Sequence, residues 1–345
     1  TMNGTTRLLL FTAALLVGAE LLFGNANGSL LLTLTMGIAL VEGAIALAAI
    51  TEVVGAKWLD SIKDDLLSLA PFLLVILSLL IPLSTQMEMY PWAKHPHGLW
   101  FNVASFIGRN AAFILIAFAL AQAMRSAIRR GEESRKRYAV LYLIVFALSQ
   151  SLTAFDIVMS LSHPWFSTLF GGYFFIEAIF AALGLGAIHF RSRYRGEELA
   201  ASAGLRKSLW DLATVMFGFS VLWVGLLYSK YLVIWYGNLP AEVGYFLDRF
   251  SSPKYLIACW AILACLFPIP FVTLLSRRRT ASRHVVALVG AVIIFGILLE
   301  RFIMLKPLFP SFNYPQAAGE LIILMSAILA CLRHGGKTER GQHTV

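Results

Sequence analysis

Residues 30–49 read LLLTLTMGIALVEGAIALAA, and Glu42 is the only charged residue in this stretch. A transmembrane α-helix needs about 20 mostly apolar residues to cross the roughly 30 Å core of a bilayer. The same character extends along the chain, since 59% of its 345 residues are hydrophobic and 14% are charged. Soluble domains are about 45–50% apolar and about 25% charged. The composition therefore argues against a soluble fold, excludes disorder and disulfide scaffolds, and predicts an all-α polytopic membrane protein.

Ten apolar windows predict about ten transmembrane helices in a single membrane domain, 1-345. The first window follows one Arg and is short, so a cleaved signal peptide is the alternative to a retained span. It has no A-x-A cleavage site and carries Glu20 late in the run, which favours a retained span. The windows are Leu8–Phe23, Leu30–Ala49, Leu66–Leu83, Phe101–Met124, Tyr138–Met159, Phe166–Ile188, Leu209–Trp235, Leu256–Leu275, Val285–Leu305 and Ala317–Leu332.

Basic residues orient these spans. Of the 28 Lys and Arg residues, 21 lie in the termini and in the loops after spans 2, 4, 6 and 8, and four lie in the opposite loops. This asymmetry predicts that both termini are cytoplasmic. The net charge of +9 is then a topology signal and indicates no nucleic-acid partner. The two longest outer loops, Ser84–Trp100 and Tyr236–Tyr255, are either a docking surface for an extracytoplasmic partner or plain connections.

Histidine and cysteine positions do not favour a redox centre within the chain. No His lies deep in a predicted span, so paired axial haem ligands on facing helices are not expected. Cys259, Cys265 and Cys331 form no C-x-x-C pair, which leaves neither an iron–sulfur nor a zinc motif. We therefore expect no bound haem or metal. The seven histidines are His95, His97 and His163 in outer loops, and His189, His284, His334 and His343 in inner segments.

Ionisable residues inside the spans are the main functional candidates, because each is costly in a bilayer. A rise of about 1.5 Å per residue places most of them in the outer half, which predicts a polar cavity that opens outward. We expect Arg109 and Arg301 to pair there with Asp156, Glu300 or Glu320, and Lys230 to snorkel. The alternative is a network of ion pairs that holds the helices together. The ten residues are Glu20, Glu42, Arg109, Asp156, Glu177, Asp211, Lys230, Glu300, Arg301 and Glu320.

Three of these ten ionisable residues, all carboxylates, are candidates for a proton path. Glu42 and Glu177 lie near the estimated midplane with no opposite charge at that depth, and Asp211 lies at the inner end of span 7. Glu42 and Glu177 could relay protons across the middle of the membrane. Alternatively, each is a protonated carboxyl hydrogen-bonded to a backbone carbonyl or a hydroxyl.

Two long segments of the chain have a distinctive pattern: residues 151–175 read SLTAFDIVMSLSHPWFSTLFGGYFF and residues 228–240 read YSKYLVIWYGNLP. They resemble the polysulfide-reductase membrane-anchor superfamily, also called NrfD-like. Both are similar to motifs of the smaller NrfD-like quinol subunit (ActF type) of alternative complex III. Residues 99–109, LWFNVASFIGR, and residues 299–302, LERF, agree in the expected order.

The resemblance implies two four-helix bundles, 30-159 and 166-305, with 8-23 and 317-332 as flanking helices. It implies a subunit of a respiratory quinol-oxidising or quinone-reducing complex in the bacterial inner membrane, without its own redox centre. Expected partners are an extracytoplasmic iron–sulfur subunit, a multiheme cytochrome c, a second NrfD-like subunit and lipids. The ligand would be a quinone or quinol, either menaquinone or ubiquinone. The quinone and proton candidates are Asp156, Arg109, Glu300, Arg301, Glu320, His163 and Trp165.

Departures from the family pattern leave a second hypothesis open. Leu40 stands where the family often has His, and Ser162-His163-Pro164-Trp165 replaces its E-P-H-W, so an acid is absent. Lys230 replaces a Gln. The chain could instead be a structural anchor without a quinone site. An independent transporter is a third hypothesis, but no pair of Gly- or Pro-broken spans is evident in corresponding halves.

Overall fold

A computed structural model describes residues 4–24, 27–94, 98–250 and 252–340 of the chain. Within these ranges the regular elements are helices, and ten of them are long and apolar enough to cross a membrane. This confirms the all-α polytopic fold class. In chain order, α1–α10 are Gly4–Phe23, Ser29–Val54, Lys63–Thr85, Val103–Arg129, Ser134–Ser162, Leu169–Arg193, Ala203–Gly237, Pro253–Leu274, Arg283–Leu308 and Tyr314–His334.

Most helices are longer than the predicted apolar windows, because polar residues continue them beyond the hydrocarbon core. Two predicted starts, Phe101 and Phe166, are wrong. Helix α4 begins at Val103 because the side chain of Asn102 caps it by accepting a hydrogen bond from the Ala104 amide. Helix α6 begins only at Leu169. Apolarity alone does not locate such caps, since aromatic residues also occur in the loop just before a helix.

Three of the spans depart from regular α-helix. Span α3 is interrupted between Lys63–Leu67, Phe72–Ser78 and Leu80–Thr85, and span α8 is interrupted at Phe267, just before Pro268. Proline lacks the amide that an α-helix needs and clashes with the preceding turn. Pro-broken spans therefore occur in both halves of the chain, but not at corresponding positions of the two predicted bundles. They are the second span of one predicted bundle and the third of the other.

Span α5 ends in a different way. Its regular α-helix, Ser134–Leu152, passes into a π-helical turn at Thr153–Val158 and then into a 3-10 turn at Met159–Ser162. A π turn inserts one extra residue per turn and is frequently found at functional sites. The structure places it at the outer end of α5, where Asp156 lies.

Helices α2 and α6 form the centre of the molecule. Helix α2 packs against α3 and α5, helix α6 packs against α7 and α9, and α2 and α6 pack against each other. Helices α1 and α10 contact each other, α10 also packs against α2, and α1 packs against α3. The boundaries 30-159 and 166-305 remain a prediction, because the long α2–α6 contact joins the two groups. The cytoplasmic position of the termini also remains a prediction, and we call the opposite side the outer side.

Glycine allows the central helices to approach closely. A Cβ atom at Gly290 on α9 would lie 2.6 Å from the carbonyl oxygen of Gly184 on α6, and a Cβ at Gly184 would lie 2.6 Å from the Gly290 carbonyl oxygen. At Gly43 on α2, a Cβ would clash with the carbonyl of Ala178 on α6. Small residues at membrane helix crossings permit such backbone contact.

Candidate functional site

The charged residues inside the spans form four separate groups instead of one outer cavity. Each group is named here by its surroundings and joins different helices. They are the pocket group (Arg109, Asn110, Asp156), the sealed group (Tyr173, Glu177, Lys230, Glu300, Arg301), the flank group (Glu20, Ser29, Thr33, Gln316, Glu320) and the Glu42 group (Glu42, Tyr142, Ser149, Gln150).

The pocket group is built on the π turn of α5. Asp156 Oδ2 lies 2.5 Å from Arg109 Nε and 3.1 Å from Asn110 Nδ2, both on α4. Arg109 Nη1 also donates to the Trp100 carbonyl oxygen at 2.8 Å and to Ser105 Oγ at 3.2 Å. The pairing of Arg109 with Asp156 is as expected from the sequence. This buried carboxylate has charge compensation and hydrogen bonds on the same oxygen.

A cavity of about 240 Å³ opens beside Asp156 on the outer side. Aromatic rings form most of its wall, and the guanidinium of Arg109 lies 4.3 Å from the centre of the Trp100 ring. Asp156 is the only charged residue that lines it in the described part of the chain. A planar ligand with polar edges suits such a wall. The lining residues are Trp100, Phe101, Phe155, Asp156, Met159, Ser160, His163, Pro164, Trp165 and Phe166.

The outer loop before α4 holds the π turn in place through hydrogen bonds. Tyr90 donates to the carbonyl oxygen of Ile157 at 3.0 Å, and Trp92 Nε1 donates to Ser160 Oγ at 3.1 Å. Ser160 in turn donates to the Asp156 carbonyl at 2.5 Å. Burial raises the pKa of the Tyr90 phenol well above its usual range, so this group stays a hydrogen-bond donor. Tyr90 and Trp92 were not candidates from the sequence, which marked their loop, Ser84–Trp100, only as a docking surface or a plain connection.

The sealed group lies between α6, α7 and α9. Arg301 Nη2 lies 2.6 Å from Glu177 Oε2, and the guanidinium lies 3.2 Å from the centre of the Phe174 ring. Tyr173 donates to Glu300 Oε1 at 2.5 Å. The prediction that Glu177 lacks an opposite charge is therefore wrong, and so is the set of partners predicted for Arg301.

Side-chain direction explains this error. Helices α6 and α9 are antiparallel and cross at Gly184 and Gly290. Counted in residues from this crossing toward the outer side, Glu177 lies closer to the crossing than Arg301 does, so Glu177 is about one turn deeper in the membrane. Side chains in an α-helix tilt toward its N-terminus. The N-terminus of α9 is at the inner side, so the long Arg301 side chain extends inward and reaches Glu177. A depth estimate from Cα positions does not include that reach.

Many polar atoms of the sealed group have no hydrogen bond within the described part of the chain. These atoms are Glu177 Oε1 and Oε2, Glu300 Oε2 and the three guanidinium nitrogens of Arg301. The 2.6 Å contact between Arg301 and Glu177 is a close ion pair whose angles do not meet hydrogen-bond geometry. Buried polar groups normally have partners. Helix packing alone does not explain why so many polar atoms of the sealed group lack hydrogen-bond partners.

Lys230 is buried in the sealed group and does not snorkel to the surface as expected. Its Nζ lies 4.8 Å from the ring centre of Phe170, 5.1 Å from that of Tyr173 and 5.3 Å from that of Phe246. Aromatic faces carry negative potential and attract a cation at these distances. The sequence placed Lys230 at a span end, but a short helix at Pro240–Phe250 covers that end.

An aromatic bridge connects the cavity with the sealed group. The Trp165 ring lines the cavity and stacks on Tyr245 at 3.7 Å between ring centres, and it meets Phe170 edge-on at 5.7 Å. The Arg249 guanidinium lies 3.4 Å from the centre of the Tyr245 ring and donates to the Met304 carbonyl oxygen at 2.8 Å. Burial raises the pKa of Tyr245 and lowers that of Arg249. Neither residue was a candidate from the sequence.

Glu42 has only neutral partners on α5. Ser149 donates to its Oε1 at 2.8 Å and Gln150 to its Oε2 at 2.9 Å. As expected, no cation contacts it among the described residues. Glu42 and Glu177 lie on opposite sides of the α2–α6 contact, because Gly43 and Ala178 meet there. A direct relay between the two carboxylates is not built into this arrangement.

The flank group holds Glu320, which the sequence had placed with Arg109 and Arg301. Instead, Thr33 donates to Glu320 Oε2 at 2.9 Å. The Gln316 amide donates to Glu320 Oε1 at 2.9 Å and to Glu20 Oε1 at 3.1 Å. The expectation is wrong because α10 packs beside α1 and α2, away from the pocket group. Hydroxyl and amide donors thus link the flanking helices to the core.

Asp211 and the inner side contribute no further part to the cavity. Asp211 is half-buried on α7 and joins none of the four groups in the described part of the chain. Near the inner side, Asp65 Oδ2 lies 2.7 Å from His189 Nε2 and 3.5 Å from Arg193 Nε. This contact was missed because Asp65 precedes its predicted span. Across the described residues, no cluster of three or more His, Cys, Asp or Glu side chains could hold a metal ion.

Comparisons with known proteins add no assignment to this geometry. No family model matches the chain, and no curated protein shows significant similarity to it. The resemblance to NrfD-like subunits stays a prediction from the quoted segments.

Proposed function

We propose that the chain is a membrane subunit of a respiratory quinol-oxidising or quinone-reducing complex in a bacterial inner membrane. The observation that carries this proposal is the cavity beside Asp156, where aromatic walls meet a carboxylate and its arginine. A quinone headgroup is planar, apolar on its faces and polar at its two oxygens. These features match the stacking surfaces and the hydrogen-bonding edge of the cavity.

Asp156 is the group placed to exchange a proton with the ligand. Quinol oxidation releases two protons and two electrons, and a carboxylate within hydrogen-bonding reach can accept one proton. Arg109 and Asn110 hold Asp156 Oδ2, and the backbone of the π turn fixes its direction. The electrons would pass to a partner's iron–sulfur or haem centre, since no redox centre is expected in this chain.

Exposed aromatic residues at the outer side support a partner subunit. Helix α7 has 35 residues, about 52 Å at 1.5 Å per residue, and is longer than the roughly 30 Å hydrocarbon core. At its outer end Trp235 and Tyr236 are 64% and 84% exposed, and Leu239 follows in the loop. The proposed occupants of this surface are the iron–sulfur subunit and a multiheme cytochrome c. A second NrfD-like subunit would complete the quinone-handling assembly.

A structural anchor is the second candidate function, and Leu40 favours it. The family pattern has a His at this position, whereas Leu40 is fully buried among apolar core residues of α2. The hydrogen-bonded flank group also has the composition expected of a group that joins helices. An anchor would keep the partner surface but would turn over no quinol at the Asp156 cavity.

Substitution of Asp156 separates these two functions. In the intact native complex, we expect Asp156→Asn to lower quinol turnover at least about tenfold, since one proton acceptor is lost. The amide keeps the shape of the side chain and can still bond to Asn110. Glu88→Gln is the matched control, because Glu88 is an exposed outer carboxylate that does not line the cavity. Unchanged turnover and proton release in assembled Asp156→Asn complex would refute the quinone role.

A further inference from the structure

A second cavity lies at the inner side, where α6 ends, α9 begins and α10 ends. Its volume is about 680 Å³, within the range of small-molecule sites. Among the residues that the structure describes, its lining includes Arg191, Arg193, Arg283, Arg333, His284 and His334, and no Asp or Glu. We call it the basic cleft. None of the groups at the outer side contributes to it.

Some of the basic side chains of the cleft are held in place by one another and by backbone. Arg191 Nε donates to His284 Nδ1 at 3.0 Å, which links α6 to α9. Because Nδ1 accepts, a neutral His284 carries its proton on Nε2, which is then its one hydrogen-bond donor. Arg283 Nη1 donates to the Arg191 carbonyl oxygen at 3.1 Å and also to the Tyr194 carbonyl. The cleft is therefore a partly preorganised set of donors from two helices.

The positive charge of the basic cleft is only partly compensated. The Asp65 carboxylate lies 3.5 Å from Arg193 Nε and compensates the charge of that arginine. No carboxylate among the side chains that the structure describes lies within 4 Å of the guanidinium groups of Arg191, Arg283 or Arg333. Arginine is well suited to bind phosphate, since its planar fork donates two parallel hydrogen bonds. The cleft thus has the chemistry of a phosphate site.

Apolar surface adjoins the cleft on the membrane side. Ile188 lines it one turn before Arg191 on α6. Leu288 follows His284 by one turn on the same face of α9 and is 66% exposed. A free phosphate ion would gain nothing from this surface. A phospholipid would place its phosphate on the arginines and its acyl chains along Ile188 and Leu288.

We propose that the basic cleft binds the phosphate headgroup of an anionic phospholipid from the inner leaflet. The predicted topology places the cleft on the cytoplasmic side, and basic pockets between membrane helices on that side bind such headgroups. The bound lipid would brace the contact of α6 with α9 and α10. This proposal does not depend on quinone chemistry at the outer side.

Lipid binding to the full-length chain tests the proposal. The protein is delipidated in detergent, and the dissociation constant for phosphatidylglycerol is measured by native mass spectrometry, with phosphatidylcholine as the zwitterionic comparison. We expect the Arg191→Gln/Arg333→Gln variant to bind phosphatidylglycerol roughly 20- to 30-fold more weakly, from about 1 kcal/mol for each basic residue. The matched control is Lys207→Gln/Arg278→Gln, which removes two exposed inner charges outside the cleft.

The outcomes separate the proposal from its alternatives. Retained binding in the control variant together with loss in the cleft variant supports it. Equal binding by wild type and cleft variant, or equal losses in both variants, overturns it. Inorganic phosphate that binds the cleft as tightly as the lipid does would assign the site to a free phosphate and overturn the lipid source. If the double variant does not fold, Arg333→Gln alone gives the same test at about fivefold, because Arg333 is exposed.

Discussion

The pocket group and the sealed group each contain a buried Arg–carboxylate pair. They differ in how many hydrogen bonds the pair makes and in whether it borders a cavity. In the pocket group, Asp156 has an aligned hydrogen bond from Arg109 and a second from Asn110, and it borders a cavity. In the sealed group, Arg301 and Glu177 are almost fully buried and lack hydrogen bonds among the described residues. The difference indicates that the first pair can contact a ligand. In the second pair, the free-energy cost of removing both charges from water is not offset by hydrogen bonds.

Substitution of the two arginines gives the largest expected contrast. Arg301→Met removes the ion-pair partner of the buried Glu177 and leaves Lys230 as the remaining cation of the sealed group, so we expect a loss of about 3–5 kcal/mol in unfolding free energy. Arg109→Met leaves Asp156 with its Asn110 bond beside an open cavity, so we expect about 1–2 kcal/mol. Unfolding in mixed detergent micelles measures both values.

A compensating variant serves as the control for this contrast. Glu177→Met/Arg301→Met removes both charges, and apolar replacement of a buried pair is often neutral or stabilising. We expect it to recover most of the stability lost in Arg301→Met. Equal losses for Arg301→Met and Arg109→Met would show that the sealed group is no less accessible to water than the pocket group.

The close crossing of α6 and α9 holds together the two helices that carry the Glu177–Arg301 pair. Gly290→Ala places a methyl group 2.6 Å from the Gly184 carbonyl oxygen. We expect it to cost about 1–3 kcal/mol in unfolding free energy, as overpacking does elsewhere. Gly319→Ala on α10 is the matched control, since its Cβ would meet no atom within 4 Å. A similar stability for the two variants would contradict the tight crossing.

The smallest expected effect concerns the link between the two regions. Trp165 and Tyr245 stack at 3.7 Å between ring centres and join the cavity to the sealed group. A double-mutant cycle with Trp165→Leu and Tyr245→Leu should give a coupling of about 0.5–1.5 kcal/mol in unfolding free energy. Additive losses in unfolding free energy would mean that the Trp165 and Tyr245 rings do not stabilise each other.

Sequence alone predicted most of the fold because membrane helices follow from apolar length. All ten spans were found, and the Arg109–Asp156 pair was expected from the cost of a lone buried charge. The π turn at Thr153–Val158 and the break at Phe267 were not, because backbone irregularities depend on local hydrogen bonding that hydropathy does not report. Helix ends were inaccurate for the same reason.

The partners of the charged residues inside the spans were harder to predict than the presence of those residues. Which carboxylate pairs with Arg301 depends on helix neighbours and on side-chain direction, as the contact with Glu177 shows. Glu320 was misplaced because sequence depth does not state which helix faces which. Tyr90 and Tyr245 lie in the connections between predicted spans, where aromatic residues give no distinctive sequence signal even when they are buried.

Photoaffinity labelling by a quinone analogue tests the central claim, that the cavity beside Asp156 holds a quinone headgroup. The native complex is labelled with an azidoquinone and the modified residues are mapped by mass spectrometry. We expect labels on Trp100, Phe155 or Met159, which line the cavity, and competition by added quinone. Labelling confined to partner subunits, with none on this chain, would contradict it.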